Sequence, residues 1–164
     1  MRDYFYEKSK MYYEKYKAGK LTKKVGSIIK SGDKYLAIIR EGKKPCFAGG
    51  SVEENETTKQ AIIREVFEET GAKVIKLKYL KKDYYSVDWE FEGVIFPNKR
   101  VEYTYLCEIE KDDLNIKGLS GEFDKNTTLK WFTSKELEDL GLWEPTLKLI
   151  KKIESENIQA SSLR

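Results

Sequence analysis

Residues 49 to 72 read Gly-Gly-Ser-Val-Glu-Glu-Asn-Glu-Thr-Thr-Lys-Gln-Ala-Ile-Ile-Arg-Glu-Val-Phe-Glu-Glu-Thr-Gly-Ala, and no other stretch restricts the fold as tightly. The pattern predicts a helix over 57 to 70. Asn55 or Thr57 is the expected N-cap, and Gly71 suits the left-handed position just past the C-terminus. At roughly 100° per residue, Glu65, Glu68 and Glu69 share one face, with Ala61 and Arg64 on the same side. Ile62, Ile63, Val66 and Phe67 are expected on the other side, as an apolar stripe that docks on a core.

An ordinary solvated helix face interleaves Glu with Lys, whereas this cluster has only Arg64. Unit charges about 6 Å apart repel by about 0.7 kcal/mol in water and about 3 kcal/mol at an effective dielectric near 20. A hard divalent cation reverses that sign and takes carboxylate oxygens as ligands. The Gly49-Gly50 pair lets backbone come close and lend a carbonyl. Histidine is absent, which excludes a His general base, a Ser-His-Asp triad and His-ligated zinc. Acid–base chemistry is left to carboxylates, Lys, Tyr or activated water.

At these residues the chain resembles the Nudix hydrolase family, whose signature is G-x5-E-x7-R-E-U-x-E-E-x-G-U with U aliphatic. Gly50, Glu56, Arg64, Glu65, Val66, Glu68, Glu69 and Gly71 match in register. Ala72 is a small residue at the last aliphatic place, and Ala48 stands where the family often has proline. The resemblance implies hydrolysis of a diphosphate linkage in a nucleoside diphosphate derivative. It implies that Glu65, Glu68, Glu69 and the Gly49 carbonyl hold Mg²⁺ or Mn²⁺, that Glu65 positions or deprotonates the attacking water, and that Arg64 orients the carboxylates with Glu56. Gly50, Glu56 and Gly71 are then the structural positions of the motif.

Net charge is +3 but unevenly spread. Residues 1 to 44 carry 13 Lys/Arg against 5 Asp/Glu, a balance of +8, and residues 45 to 72 carry 2 against 6, a balance of −4. A basic segment beside an acidic metal site suits a polyphosphate substrate. Cys46 and Cys107 are isolated thiols outside any Cys-x-x-Cys unit, expected to be small buried residues. No apolar run reaches membrane-spanning length and no signal-peptide core is visible, so a cytoplasmic protein without membrane contact is expected.

Around the helix the chain reads mainly as strands. Hairpins are expected about Ser31-Gly32-Asp33-Lys34 and about Pro97-Asn98-Lys99, a short strand over 44 to 48, a strand over 73 to 85 and another over 129 to 132. Thr133 and Glu136 form a capping box, and Pro145 opens a last helix to about Glu156. This layout predicts an α/β (α+β) fold, an α/β/α sandwich around a mixed sheet, as the resemblance also implies. Residues 1 to 20 form an aromatic N-terminal helical extension, 21 to 156 the catalytic domain, and 157 to 164 a frayed tail.

The leading expectation is a Mg²⁺-dependent pyrophosphohydrolase of nucleoside triphosphates or related diphosphates. A 5′ RNA pyrophosphohydrolase and a non-catalytic nucleotide sensor are the alternatives, and a homodimer is a further partner to consider. Glu122 and Asp124, in the polar stretch over 111 to 127, are candidates for an extra carboxylate. Tyr84, Tyr85 and Trp89 are candidates for stacking a base.

Overall fold

The computed structural model describes residues 4 to 110 and 127 to 163. Its strands are β1 (Thr22–Ser31), β2 (Lys34–Ile39), β3 (Gly49–Ser51), β4 (Val74–Phe91), β5 (Val94–Ile109), β6 (Thr128–Thr133) and β7 (Ser161–Ser162). Its helices are α1 (Tyr4–Lys17), α2 (Thr58–Thr70), α3 (Ser134–Asp139) and α4 (Glu144–Glu156). The strands form one mixed sheet in the order β6-β2-β1-β5-β4-β7, with β3 added on β1. Only the β1–β5 pair is parallel among the described strands; the other pairs are antiparallel.

Alternation along the strands divides the core into two layers. Val25, Ile29, Leu36, Ile38 and Cys107 pack against Ala61, Ile62 and Val66 of α2. Ile28, Tyr35, Ala37 and Leu106 face the other way, toward Leu137 of α3 and Leu147, Ile150 and Ile153 of α4. The expected sandwich around a mixed sheet is therefore the observed one. Burial pushes the Cys107 thiol up to about 12, the behaviour of a core residue rather than a nucleophile. Cys46 is half-buried and forms an isolated bridge with Ile38, all that remains of the strand expected over 44 to 48.

Two expectations fail for identifiable reasons. The β4–β5 hairpin turns at Glu92-Gly93, both at positive φ (47° and 80°), rather than at Pro97-Asn98-Lys99. Two left-handed residues match the twist of paired strands, so this two-residue turn wins. Pro97 lies inside β5 opposite Asp88, before the β1 pairing begins at Thr22↔Arg100, so its missing N–H removes no bond to β1. Asn98 is likewise structural: its side-chain N–H donates to Thr22 Oγ1 (3.0 Å) and its carbonyl accepts from Arg100 Nε (2.6 Å). At the other end of the chain, Ser161 and Ser162 pair with Leu77 and Lys76 of β4 rather than fraying.

The long β4–β5 ribbon extends past the end of β1, and α1 covers its face there. Tyr12 and Trp89 meet edge-on with ring centroids 5.1 Å apart. Tyr13 packs on Phe91 and Phe96, and Tyr16 on Phe96. In β5, Phe96, Asn98, Arg100, Glu102, Thr104 and Leu106 alternate onto one face. Hence α1 lies on the same side of the sheet as α3 and α4.

Candidate active site

Helix α2 begins with Thr57, whose side chain accepts from the Gln60 N–H while the Gln60 side chain accepts from the Thr57 N–H. It ends at Gly71, left-handed at φ 76°, whose N–H donates to the Phe67 carbonyl. Asn55, the other cap candidate, lies in the preceding turn at φ 63°. The helix buries a wider and differently placed arc than its periodicity suggests: Ala61, Ile62, Glu65, Val66, Glu69 and Thr70 are all buried. Glu65 and Glu69 flank the apolar stripe, and Phe67, expected inside, is 51% exposed. Ala61 belongs to the core.

Strand β3 explains that placement. Gly49 and Gly50 pair with Gly26 and Val25 of β1 and lie directly under α2. The Gly49 N–H donates to Glu69 Oε1 (3.1 Å). A Cβ on Gly50 would stand 2.3 Å from Glu65 Oε1, and one on Gly49 would stand 2.4 Å from the Val25 carbonyl oxygen. At Gly49 the clash is with backbone and admits no side chain, whereas a side chain at Gly50 would displace the Glu65 carboxyl group from its place against the sheet.

Arg64 organises the acids. Its Nε and Nη2 donate to the two oxygens of Glu56 (2.8 and 2.9 Å), and Nη2 also donates to the Ser51 carbonyl (2.9 Å). Nη1 donates to Glu65 Oε1 (2.9 Å) and Glu68 Oε2 (3.2 Å). These bonds hold the Glu56 carboxyl below the ordinary carboxylate range despite partial burial. Glu65 goes the other way. Burial pushes its carboxyl up, and the hydrogen bonds from Glu69 and Arg64 offset this only in part.

Glu65 and Glu69 open on a cavity of about 250 Å³ lined also by Gly49, Gly50 and Ser51, and by Lys8, Lys24 and Arg40. The donor set suits a hard divalent cation: buried carboxylate oxygens against glycine backbone, with one acid whose ionisation burial opposes. Arg64 Nη1 binds Glu65 and Glu68 together, and among the described residues no three acid, His or Cys side chains form a closed metal cluster. Lys24 Nζ donates to the Tyr12 hydroxyl (3.1 Å) and to Ser51 Oγ (3.4 Å). Burial would raise the Tyr12 phenol, but Lys24, the Ser51 hydrogen bond and Lys8 together leave it below its ordinary value.

A second cavity of about 320 Å³ shares Lys24, Cys46, Phe47, Gly49 and Gly50 with the first and runs on between the sheet and the start of α4. Tyr85 and Trp143 line it with ring centroids 6.3 Å apart, and the Tyr85 hydroxyl donates to Glu102 Oε1 (2.9 Å). Burial and the Glu102 carboxylate push the Tyr85 phenol up to about 12. Of the three aromatic candidates, Tyr85 alone lies there. Tyr84 points from the opposite face of β4, 65% exposed, with Lys82 Nζ 5.6 Å from its ring. Trp89 is covered by Tyr12 and donates its indole N–H to Ser9 Oγ (2.9 Å), so it is a packing residue. Glu122 and Asp124 lie outside the described residues. Lys24, Glu102 and Trp143 are cavity residues that sequence reasoning missed. The one available signal was an aromatic two residues before the helix-opening Pro145.

Known proteins are similar to this chain in sequence or in fold. A Bacillus subtilis (strain 168) protein named "Putative 8-oxo-dGTP diphosphatase YtkD" is 36% identical over 110 residues, which covers 67% of this chain and 65% of that relative's length. A NUDIX hydrolase from Nitrosomonas europaea superposes with a TM-score of 0.61 at 20% identity, covering 88% of this chain and 94% of that one. A C. elegans Ap4A hydrolase gives 0.55 at 18% identity, covering 84% and 99%. A MutT protein from Bacillus halodurans gives 0.56 at 20% identity, covering 80% of each. At these identities the three structures speak to the fold alone. A family model for the NUDIX domain matches residues 20–153, a span that contains the glycine pair, Arg64 and every acid of α2, and the chain belongs to the NUDIX family.

Proposed function

We propose that the chain hydrolyses the diphosphate linkage of a nucleoside triphosphate or another nucleoside diphosphate derivative, with Mg²⁺ or Mn²⁺ bound. The observation that carries this reading is the burial of Glu65 and Glu69 against Gly49-Gly50, in a cavity that also holds Lys8, Lys24 and Arg40. Acid and base lining one cavity suits a cation and a polyphosphate together. The name of the Bacillus subtilis relative agrees with this class of substrate.

In this reading Glu65 and Glu69 hold the ion, with Glu68 and the Gly49 carbonyl as further donors. When bound, the ion supplies charge neutralisation and Lewis-acid activation at phosphorus. Glu65 is the proton acceptor for the attacking water. Arg64 keeps the Glu65 carboxylate oriented through its Nη1, and Glu56 keeps Arg64 in place. The second cavity takes the nucleoside, with Tyr85 and Trp143 beside the base.

A substrate panel with phosphate and pyrophosphate detection tests the proposal. It should include 8-oxo-dGTP, dGTP, dinucleoside polyphosphates, nucleotide sugars and triphosphorylated RNA oligonucleotides. Turnover is expected on at least one nucleotide, dependent on Mg²⁺ or Mn²⁺. Glu65→Gln and Glu69→Gln are each expected to lower kcat at least a hundredfold, on the order of 3 kcal/mol of transition-state stabilisation. Undiminished turnover in both variants, or none by the wild type on the whole panel, overturns the reading.

A further inference from the structure

Strand β5 brings one carboxylate into the second cavity, in a setting unlike that of the acids bound to Arg64. Glu102 stands in register with Lys24 of β1 and Asp83 of β4. It is half-buried and lines the cavity with Gly26, Tyr85 and Trp143. One of its oxygens is placed by the protein. Oε1 accepts from the Tyr85 hydroxyl at 2.9 Å, and that phenol, pushed up to about 12, keeps its proton and stays a donor. The other oxygen is left over. Oε2 lies above the Gly26 backbone, where a Cβ would stand 3.1 Å from it. The cations that line the same cavity are engaged elsewhere: Lys24 with Tyr12 and Ser51, Lys81 with Asp83 (3.2 Å), and Arg100 Nε with Asn98 Oδ1. Among the described residues Glu102 forms no ion pair, and Oε2 receives no hydrogen bond. A half-buried carboxylate oxygen without a donor is costly unless a ligand supplies one.

We propose that Glu102 is the residue that selects the base, and that the base it selects is guanine. The inference rests on the proposed hydrolysis of a nucleotide whose nucleoside occupies this cavity, and it names that nucleoside. A carboxylate only accepts hydrogen bonds, so it reads a base by the N–H groups on its Watson–Crick edge. Guanine alone among the common bases presents two donors side by side there, its ring N–H and its 2-amino group. Adenine and cytosine set a ring-nitrogen lone pair beside their amino group, and thymine flanks its single N–H with two carbonyls. Each of those edges brings an acceptor against the carboxylate. The Tyr85 hydroxyl holds the carboxylate at Oε1, so its orientation toward a base is fixed before the ligand arrives.

Two measurements on the full chain test this: kcat/KM on dGTP, dITP, dATP and dCTP with Mg²⁺, and calorimetric titration with the matching monophosphates, which needs no turnover. The wild type is expected to favour dGTP over dATP and dCTP by about a hundredfold or more. Hypoxanthine lacks only the 2-amino group, so dITP should fall about tenfold below dGTP. Glu102→Gln keeps an oxygen for Tyr85 but offers the base one donor and one acceptor, the pattern that adenine and cytosine match. It should lower kcat/KM on dGTP about thirtyfold and raise it on dATP, leaving the two within about threefold. Glu102→Ala should treat dGTP and dITP alike. Monophosphate affinities are expected in the same order. A wild type that turns over or binds nucleotides without preferring guanine overturns the inference, as does a guanine preference that Glu102→Gln leaves intact. Guanine-selective monophosphate binding that Glu102→Gln removes, in a protein that turns over no nucleotide, retains the inference and overturns the proposed hydrolysis instead. Absence of both turnover and monophosphate binding overturns both.

Discussion

Arg64 sets the character of the acidic helix at the scale of single residues. Its guanidinium serves Glu56, Glu65, Glu68 and the Ser51 carbonyl at once, and these partners hold its own ionisation firmly in the charged form. Glu56 is the better probe of this junction, because its carboxyl is depressed first by the Arg64 hydrogen bonds and further by the Glu53 N–H. The folded value lies below the unfolded one, so the contribution is complete above the ordinary carboxylate range, about pH 4.3. It is lost as pH falls through the depressed value. Glu56→Gln should therefore lower Tm by a few degrees at pH 7, and the gap to wild type should close toward pH 3. Melting curves at both pH values check this; a gap that is constant with pH would mean that Glu56 acts through shape rather than charge. Glu65 carries the opposite sign. Its raised value means that its ionisation works against the metal-free fold as pH rises from the ordinary range through the folded value.

Elements are where local chemistry was easiest to read and where one competing signal misled. Both capping boxes, Thr57 with Gln60 and Thr133 with Glu136, are made by side chains three residues apart, so their cause lies within one turn of chain. Thr57→Ala removes the acceptor for the Gln60 N–H and should cost about 1 kcal/mol, a fall in Tm of roughly 2–4 °C. Scanning calorimetry would measure it, and an unchanged Tm would show that tertiary packing alone holds the start of α2. The Pro97-Asn98-Lys99 segment carries three residues typical of turns, but Glu92-Gly93 makes the hairpin. Turn composition is a local preference, whereas the register between Phe91 and Val94 is set by the pairing of the whole ribbon.

Across the whole molecule, the notable joint is between α1 and the β4–β5 ribbon. The ribbon outruns β1, which leaves Trp89, Phe91 and Phe96 to be covered by Tyr6, Tyr12, Tyr13 and Tyr16. Trp89→Ala should cost about 3 kcal/mol and release α1. The expected signature is loss of amide exchange protection over α1 with α2 still protected. Full protection of α1 in that variant would show that the helix is held elsewhere.

The chain by itself determined the helix, its caps, its crowded acids and the glycine pair, because each depends on residues within a few turns of one another. Arg64 and Glu56 were also legible, since their partnership spans eight positions of a single motif. Only the tertiary structure decided which of the acids are buried. Helical periodicity orders residues around an axis and does not say where the sheet meets it; β3 presses on α2 through Gly49 and Gly50, and so Glu65 and Glu69 went inside while Phe67 stayed out. The same holds for Lys8, Lys24, Glu102 and Trp143. They come from α1, β1, β5 and the turn before α4, segments far apart in the chain, and nothing shorter than the folded sheet brings them to adjoining cavities.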